Sequence, residues 1–437
     1  MHQTLFFIPQ QMAGFPVFGL GLLLILWAIA SVGLLTWLSL RQGWIADTWG
    51  YVPILLLIGA IVLWVLPVLC KPEGLPIRGY GTLIMLGVIA GTWLATHRGK
   101  RLGLHPDLVV SMIFWMLVPG IMGARAFYVT EYWPEYARVY TAPGGGLGPL
   151  LASIINLTEG GLVVYGSFFG GVAGLLYFVY RNRLPLLAVA DLLAPSMVLG
   201  LAIGRIGCLM NGCCFGAVCD CSWAVQFPAG APPYYAQIER GQMYGFTLSG
   251  HPKVEPRVLA VWPDSPAEKA GLKPGELLVS INGEKTPTMQ EAFGPLSQAF
   301  FEEKPLKLDI EGESAVTIPA VEPLPDRSLP VHPTQIYSSI EGFLLCLVLL
   351  VFARYHRRDG TVFALMISIY PVTRFMIETL RTDEAAIAGT GMSISQNVSL
   401  LILACAAGLW FYILRQPKRL ALVETGGPHS KRRKLSE

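Results

Sequence analysis

Long apolar runs alternating with short basic clusters constrain this chain more than any other feature. The runs occupy residues 15–40, 51–70, 79–96, 108–129, 159–180, 184–208 (broken by Pro195), 334–353, 362–377 and 398–414. Each approaches the roughly 20 residues that a helix needs to cross hydrocarbon. Inside lipid every backbone N–H and C=O must be satisfied within the segment, so such runs become helices. Charged residues make up 14% of the chain and hydrophobic ones 53%, whereas a soluble domain carries about a quarter charged residues. The fold class expected is an all-α polytopic membrane protein of about nine transmembrane helices, with one polar insertion.

Basic clusters follow the first, third, fifth, seventh and ninth runs. They are Arg41; His97, Arg98, Lys100 and Arg101; Arg181 and Arg183; Arg354, His356, Arg357 and Arg358; and Arg415, Lys418 and Arg419 with the terminal Lys431, Arg432, Arg433 and Lys434. Positive charge marks the cytoplasmic side. The alternation therefore puts the N-terminus and residues 210–333 outside and the C-terminus in the cytoplasm. The basic residues sit at span ends, so a membrane is the implied partner and a nucleic acid is not. The first run has no basic residue before it and no small-residue cleavage site after it, so it reads as a retained span.

The insertion loses apolar runs and gains Pro, Glu and Lys. Val258, Leu259 and Val261, then Leu277, Leu278, Val279 and Ile281, read as strands. Asn282-Gly283 is a tight-turn dipeptide. Residues 290–301 read as a helix, and 306–310 as a closing strand.

The chemistry concentrates in GRIGCLMNGCCFG, residues 204–216, at the end of the sixth run. An arginine at the rim of a span is costly unless an anion or a wet cavity receives it. Arg125, Arg374 and Arg381 stand near the same expected face as Arg205. Arginine forks onto phosphate or carboxylate oxygens, so a converging set would hold a lipid phosphate. Each could instead pair with a carboxylate, as Arg374 could with Glu378 one helical turn away. His332-Pro-Thr-Gln335 gives the seventh span a polar start. Tyr165 is either a proton acceptor or donor or an interfacial aromatic. Glycines 160, 161, 166, 170, 171 and 174 permit close helix contact. Cys208, Cys213, Cys214, Cys219 and Cys221 admit three readings: disulfides closing the loop, a zinc site, or a reactive thiol. The spacing is not a paired C-x-x-C, and no histidine is nearby in sequence.

Taken together, Ile77-Arg-Gly-Tyr80-Gly81, Gly123-Ala-Arg125, EGGLVVYG from Glu159, GRIGCLMNGCCFG, VHPTQIYSSIEG from Val331, YPVTRFMIETLR from Tyr370 and Ser395-Gln396 occur in the order found in the prolipoprotein diacylglyceryl transferases. The resemblance covers about residues 75–228 and 330–415. It implies a bacterial inner-membrane enzyme. Such an enzyme moves a diacylglyceryl group from phosphatidylglycerol to the lipobox cysteine of a prolipoprotein, recognising its signal peptide and requiring no metal or organic cofactor. It further implies Arg205 and Arg374 as essential arginines, with Tyr165 at the catalytic position. Tyr80, Arg125, Asn211, Gly216, His332, Gln335, Tyr370 and Glu378 would be substrate-binding. The sequence departs from the family where Tyr165 replaces a histidine, Cys208 an asparagine and Cys213 a glutamate, and where Pro371 follows Tyr370. A non-catalytic relative that binds lipid or peptide, and a thiol-redox membrane protein, are the alternatives.

The insertion's VWPDSPAEKAGLKPGELLVSINGE resembles the second half of a PDZ domain, which makes it a small α+β periplasmic module. That resemblance implies capture of a peptide C-terminus by strand addition, with residues 245–248 as the candidate carboxylate loop. The domains expected are an extra N-terminal pair of spans (1–74), a transferase-like membrane domain in two parts (75–232 and 326–416), the PDZ-like insertion (233–325) and a basic cytoplasmic tail (417–437).

Overall fold

Each apolar run folds as helix, and the insertion supplies most of the strands. The computed structural model describes residues 4–12, 14–43, 46–142, 144–156, 160–249, 254–381 and 391–422. Glu159 and most of the basic tail lie outside the described residues. In chain order the elements are β1 (Thr4–Ile8), β2 (Gln11–Met12), β3 (Phe15–Pro16), α1 (Leu22–Gln42), α2 (Ala46–Ala60), a π-helical turn (Ile61–Val65), α3 (Leu66–Leu69), β4 (Leu75–Arg78), α4 (Gly79–Arg101), α5 (Pro106–Glu131), α6 (Trp133–Thr141), α7 (Leu147–Ile155), α8 (Val164–Arg181) and α9 (Leu186–Asn211). There follow α10 (Pro232–Glu239), β5 (Phe246–Leu248), β6 (Val258–Val261), α11 (Pro266–Lys269), β7 (Leu278–Ile281), β8 (Glu284–Lys285), α12 (Met289–Phe301), β9 (Leu306–Ile310), β10 (Val316–Ile318), α13 (Thr334–Phe352), α14 (Thr361–Glu378) and α15 (Ile394–Arg415).

Seven helices among the described residues are long and apolar enough to cross a membrane: α1, α4, α5, α9, α13, α14 and α15. Their outward faces carry exposed Ile29, Trp93, Phe114, Leu347 and Leu401. Water would not tolerate so much apolar surface. Two runs fall short of that standard. Residues 51–70 divide among α2, the π turn and α3, and α8 is an 18-residue helix diluted by glycine and tyrosine. The first run also starts later than its sequence suggests, because Phe15 and Pro16 pair with Gln11 and Met12 before α1 begins.

The chain divides into two units, residues 2–82 with 125–163 and residues 83–124 with 164–437. In the first, β1 and β4 pair antiparallel, with Phe6 opposite Ile77 and Ile8 opposite Leu75. Arg125 organises the 147–161 stretch of the same unit. Its Nε donates to the carbonyl of Ile154, its Nη1 to those of Gly160 and Gly161, and its Nη2 to those of Ser153 and Asn156. A guanidinium has five N–H donors, so all of them are taken by backbone. Arg125, expected to hold substrate, instead caps the C-terminal carbonyls of α7.

In the second unit, α9 lies centrally and packs on α13 and α14. Ala194, Val198, Leu345, Leu349, Val362 and Met366 form one core, and Ala95, Val109, Met112, Phe178, Val189 and Leu192 contribute to another. Pro195 was expected to break its run, yet α9 continues through it. Proline removes the N–H that would satisfy the carbonyl four residues back. Arg98 Nη1 takes over that carbonyl, donating to Asp191 O at 3.1 Å and to Leu192 O at 2.5 Å. The glycines of α8 serve packing, since Gly166, Gly170 and Gly174 sit against the backbone of Gly123, Pro119 and Trp115.

The insertion has its own core of Tyr234, Tyr244, Phe246, Leu278, Ile281, Leu296, Phe300 and Leu308. Strands pair in the order β10-β9-β7-β8, with β5-β6 as a separate pair. Asn282 and Gly283 both have positive φ (52° and 86°), the type I′ geometry that joins β7 to β8. A capping box of Thr288 and Glu291 starts α12. The expected carboxylate loop is closed by the chain itself. The N–H groups of Tyr244, Gly245, Phe246 and Leu248 donate to the carbonyls of Gly241, Gln242, Gly241 and Arg240. Helix α10 packs on α12 through Tyr234–Phe300 and Tyr235–Phe301 ring contacts. Two antiparallel legs hold the insertion to the helices below, with Val225 bridged to Val331 and Pro228 to Arg327.

Candidate active site

The C-terminal ends of α9 and α14 and the N-terminal ends of α13 and α15 meet at one end of the second unit. Arg205 stands in the last two turns of α9, partly buried. No carboxylate lies within 4.0 Å of its guanidinium, and no hydrogen bond reaches it, among the described residues. Its electrostatic neighbours are Tyr370, Cys214, Cys208 and Arg381, and Glu341 also feels its charge.

Arg374 is held differently. Its Nη1 pairs with Glu378 Oε2 at 2.6 Å, and its Nη2 donates to Ser395 Oγ at 2.9 Å. Arg381 approaches the same Glu378 oxygen at 3.7 Å. The i,i+4 alternative weighed from sequence is therefore the arrangement found, with α15 supplying the hydroxyl. The Glu378 side chain is only 2% exposed, so this carboxylate is an internal counter-ion rather than a surface group. Helix α14 runs on through Pro371.

Past Arg205 the chain makes a tight turn. Gly212 takes the left-handed conformation (φ 79°) that favours glycine at a helix end. The N–H of Cys213 reaches back to Cys208 O at 3.1 Å and that of Gly212 to Leu209 O at 3.3 Å, the paired bonds of a Schellman cap. Gln335 Nε2 donates to Cys213 O at 2.7 Å and Thr334 Oγ1 to Cys214 O at 2.6 Å. Gly216 then threads between strands of backbone, its N–H on His332 O and Ala217 N–H on Leu380 O. A Cβ on Gly216 would lie 2.7 Å from His332 Cβ and 2.9 Å from Leu380 O, closer than packed atoms approach.

The sequence-derived residues thus fall into groups. Arg205, Tyr370, Arg374 and Glu378 gather around the α9–α14 end. Gly216, His332 and Gln335 shape the turn beneath them, and Asn211 reaches the Cys213 thiol. His332 Nδ1 lies 3.3 Å from Tyr337 Oη and 3.7 Å from Cys221 Sγ. Tyr165 stands on the first turn of α8, 42% exposed, and no described hydrogen bond joins it to either arginine. Tyr80 and Arg125 belong to the other unit.

Sequence reasoning missed Glu341 and Thr373, hydrogen-bonded to each other at 2.9 Å between α13 and α14. A carboxylate inside a span was the available signal. It also missed how the cysteines sort. Cys219 and Cys221 are bonded to each other, while Cys208, Cys213 and Cys214 are free and converge.

Chemically, this end offers a guanidinium with no close ion pair among the described residues and a second cation near it, a hydroxyl from Tyr370 and a cluster of thiols. It can bind and polarise an anionic oxygen at the edge of an apolar helix bundle.

Comparison with known proteins agrees. The family model for prolipoprotein diacylglyceryl transferase matches residues 67–270 and 286–412, and a PDZ domain model matches 257–307. A phosphatidylglycerol–prolipoprotein diacylglyceryl transferase of Rhodopirellula baltica is 34% identical, over 93% of this chain and 88% of its own. One from Clostridium perfringens is 25% identical, over 79% of this chain and 93% of its own. One from Trichormus variabilis is 34% identical over 40% of this chain and 58% of its own. The match of model and relatives across both halves of the helical part, on either side of the insertion, makes this chain a member of the prolipoprotein diacylglyceryl transferase family.

Proposed function

We propose that this protein transfers a diacylglyceryl group from phosphatidylglycerol to the thiol of a lipobox cysteine in a prolipoprotein. The observation that carries this reading is the Arg205 guanidinium, partly buried in an apolar bundle with no carboxylate within 4.0 Å and no hydrogen bond among the described residues. A charge so placed is stabilised by an incoming anion. The phosphate of the lipid supplies it, and the diacylglyceryl chains lie along the exposed apolar helix faces.

In the reaction the acceptor sulfur attacks the glyceryl carbon that bears the phosphoester oxygen. That C–O bond breaks, and glycerol phosphate leaves with the electron pair. Negative charge grows on the leaving oxygen, where a preorganised cation lowers the barrier most. Arg205 takes this role. Arg374, oriented by Glu378 and Ser395, is the second cation, and Arg381 adds to the field. Tyr370 lies beside Arg205 and orients the phosphate. Gly216, His332, Gln335 and Asn211 hold the turn that shapes the pocket floor. Tyr165 serves as a hydrogen-bond donor to the lipid. Tyr80 contributes an interfacial aromatic.

The nine helical runs with basic clusters after every second one support nine spans, with the N-terminus outside, the C-terminus cytoplasmic and the insertion in the periplasm. A peptide C-terminus entering the PDZ-like module would have to displace the Arg240 and Gly241 carbonyls from β5. The test is a transfer assay: protein in phosphatidylglycerol vesicles, a synthetic lipobox peptide, and its mass. A gain of one diacylglyceryl group, lost when phosphatidylethanolamine replaces phosphatidylglycerol, is the expected result. No gain with active controls would overturn the reading.

A further inference from the structure

We propose that Cys208, Cys213 and Cys214 form a zinc site with three protein thiolates, whose open fourth position receives the acceptor cysteine. The second half rests on the transferase reading, and the first half does not.

The sulfurs of these residues all lie within 4.8 Å of one another. In a tetrahedral zinc site with Zn–S near 2.3 Å, sulfurs stand about 3.8 Å apart. Closing the cluster onto a metal therefore needs side-chain movements of about 1 Å or less, on average, by the same geometry. The backbone has already done the larger work. Cys208 lies on the last turn of α9, five residues from Cys213, and no helical spacing would bring the two sulfurs together in that way. The Gly212 turn folds the chain back, and the N–H of Cys213 closes on Cys208 O. Cys214 holds φ at 59°, a region that non-glycine residues rarely enter. Gln335 and Thr334 fix the carbonyls of Cys213 and Cys214 from α13. Ligands held on a braced backbone are what a metal site requires.

The chemistry of the donor set selects the ion. All three are free thiols, while Cys219 and Cys221 are paired with each other. Among the described residues no carboxylate or imidazole joins this group of ligand atoms, so the site they form is all-sulfur and suits a thiophilic ion. Three thiolates on a divalent zinc leave one net negative charge. Arg205 and Arg381 lie within electrostatic reach of Cys214 and balance it. The Asn211 side chain on Cys213 adds an outer contact of the kind that orients metal ligands.

An open position at this place has a use. The acceptor must be a thiolate to attack, and among the described residues no imidazole is an electrostatic neighbour of Arg205. A thiol that binds zinc is deprotonated on coordination. The acceptor R–SH would bind as R–S⁻ and release its proton to water. Its sulfur lone pair then forms the new S–C bond as the C–O bond to phosphate breaks. The products are a neutral thioether, which dissociates from zinc, and glycerol phosphate held by Arg205. Atoms and charge balance, and no oxidant or reductant enters.

The experiment uses the full chain purified in detergent under reducing conditions. Elemental analysis should find a single zinc per chain, lost in Cys208→Ser, Cys213→Ser and Cys214→Ser and retained in Cys405→Ser. Cobalt(II) added to the metal-free protein should give thiolate-to-cobalt charge transfer and the intense visible bands of a tetrahedral site. A lipobox peptide should shift those bands, and its Cys→Ser analogue should not. Chelation should lower transfer at least a hundredfold, and zinc should restore it. Full transfer by metal-free protein overturns the proposal and leaves the transferase reading standing. Zinc bound with no transfer by any form overturns the transferase reading and keeps the metal site. A cobalt spectrum blind to the peptide, a trigonal copper(I) site, or a disulfide among the three cysteines each overturns the open fourth position.

Discussion

Arg205 and Arg374 should answer differently to the same truncation. Arg205→Ala removes a charge that makes no ion pair within 4.0 Å and no hydrogen bond among the described residues. The fold loses no ion pair and sheds a desolvation cost, so the thermal midpoint should hold or rise. Transfer should fall by about 10²–10³-fold, the effect of deleting one preorganised donor to a developing anion. Arg374→Ala instead takes from Glu378, whose side chain is 2% exposed, its partner at 2.6 Å, with Arg381 standing farther off at 3.7 Å. Breaking one side of a buried pair costs roughly 3–5 kcal/mol, which is on the order of 10 °C in the midpoint. The double substitution Arg374→Met with Glu378→Gln removes the pair together and should recover most of that stability, without recovering transfer. The assays are thermal unfolding in detergent followed by tryptophan fluorescence, and mass gain of a lipobox peptide in vesicles. If Arg205→Ala unfolds as early as Arg374→Ala, Arg205 has a structural partner and the reasoning fails. Wild-type transfer in Arg205→Ala refutes its role outright.

Other outcomes follow from single contacts. Arg125→Lys keeps the charge but has at most three donors for five carbonyls. It should cost about 2–3 kcal/mol and speed amide exchange over residues 150–156. Gly216→Ala forces a Cβ to within 2.7 Å of His332 Cβ; about 1–3 kcal/mol of overpacking should lower both the midpoint and transfer, and an unchanged midpoint would contradict that packing. Asp191→Asn halves an acceptor pair that receives the N–H groups of Gly360 at 2.6 Å and Phe363 at 2.8 Å, a loss of about 1–2 kcal/mol readable by thermal unfolding. Ile238→Ser, in α10 of the insertion, should loosen the α10–α12 packing and let a C-terminal peptide bind where the native module shows none by fluorescence anisotropy.

How far the sequence could be read depended on the range of the interaction. The helical runs at 362–377 and 398–414, the Asn282-Gly283 turn and the strand at 306–310 came from local pattern. Their causes are apolar periodicity, caps and turn chemistry, all short-range. The Arg374–Glu378 pair was legible for the same reason, as both lie on one helix a turn apart. What escaped was set by distant partners. Pro195 looked like a break because Arg98, on another helix, was not visible as the group that takes the freed carbonyl. Arg125 looked like a substrate ligand because nothing in GAR says that five carbonyls wait some thirty residues on. The convergence of Cys208 with Cys213 was hidden because their spacing is not a paired C-x-x-C, although the glycine between them announced the end of the helix. The closure of β5 by Arg240 and Gly241 needed the packing of α10, which has no motif at all.

The two bridged legs beneath the insertion have a topological meaning. Ala229 N–H meets Asp326 O at 2.9 Å, and Ser328 N–H meets Phe227 O at 2.8 Å. The chain leaves and returns through neighbouring points. Between those points the chain closes as a hairpin turn does, and among the described residues only 231–237 of what it encloses reach the junction, Gln237 bonding Leu329 in both directions and Ala231 sharing a core with Phe215 and Val331. Loop-closure entropy grows only slowly with length, and the ladder at the base has already closed the loop. What the chain encloses beyond Gln237 is therefore free to change in size and identity, while the base ladder and the packing of residues 231–237 keep the geometry of the α9–α13 junction.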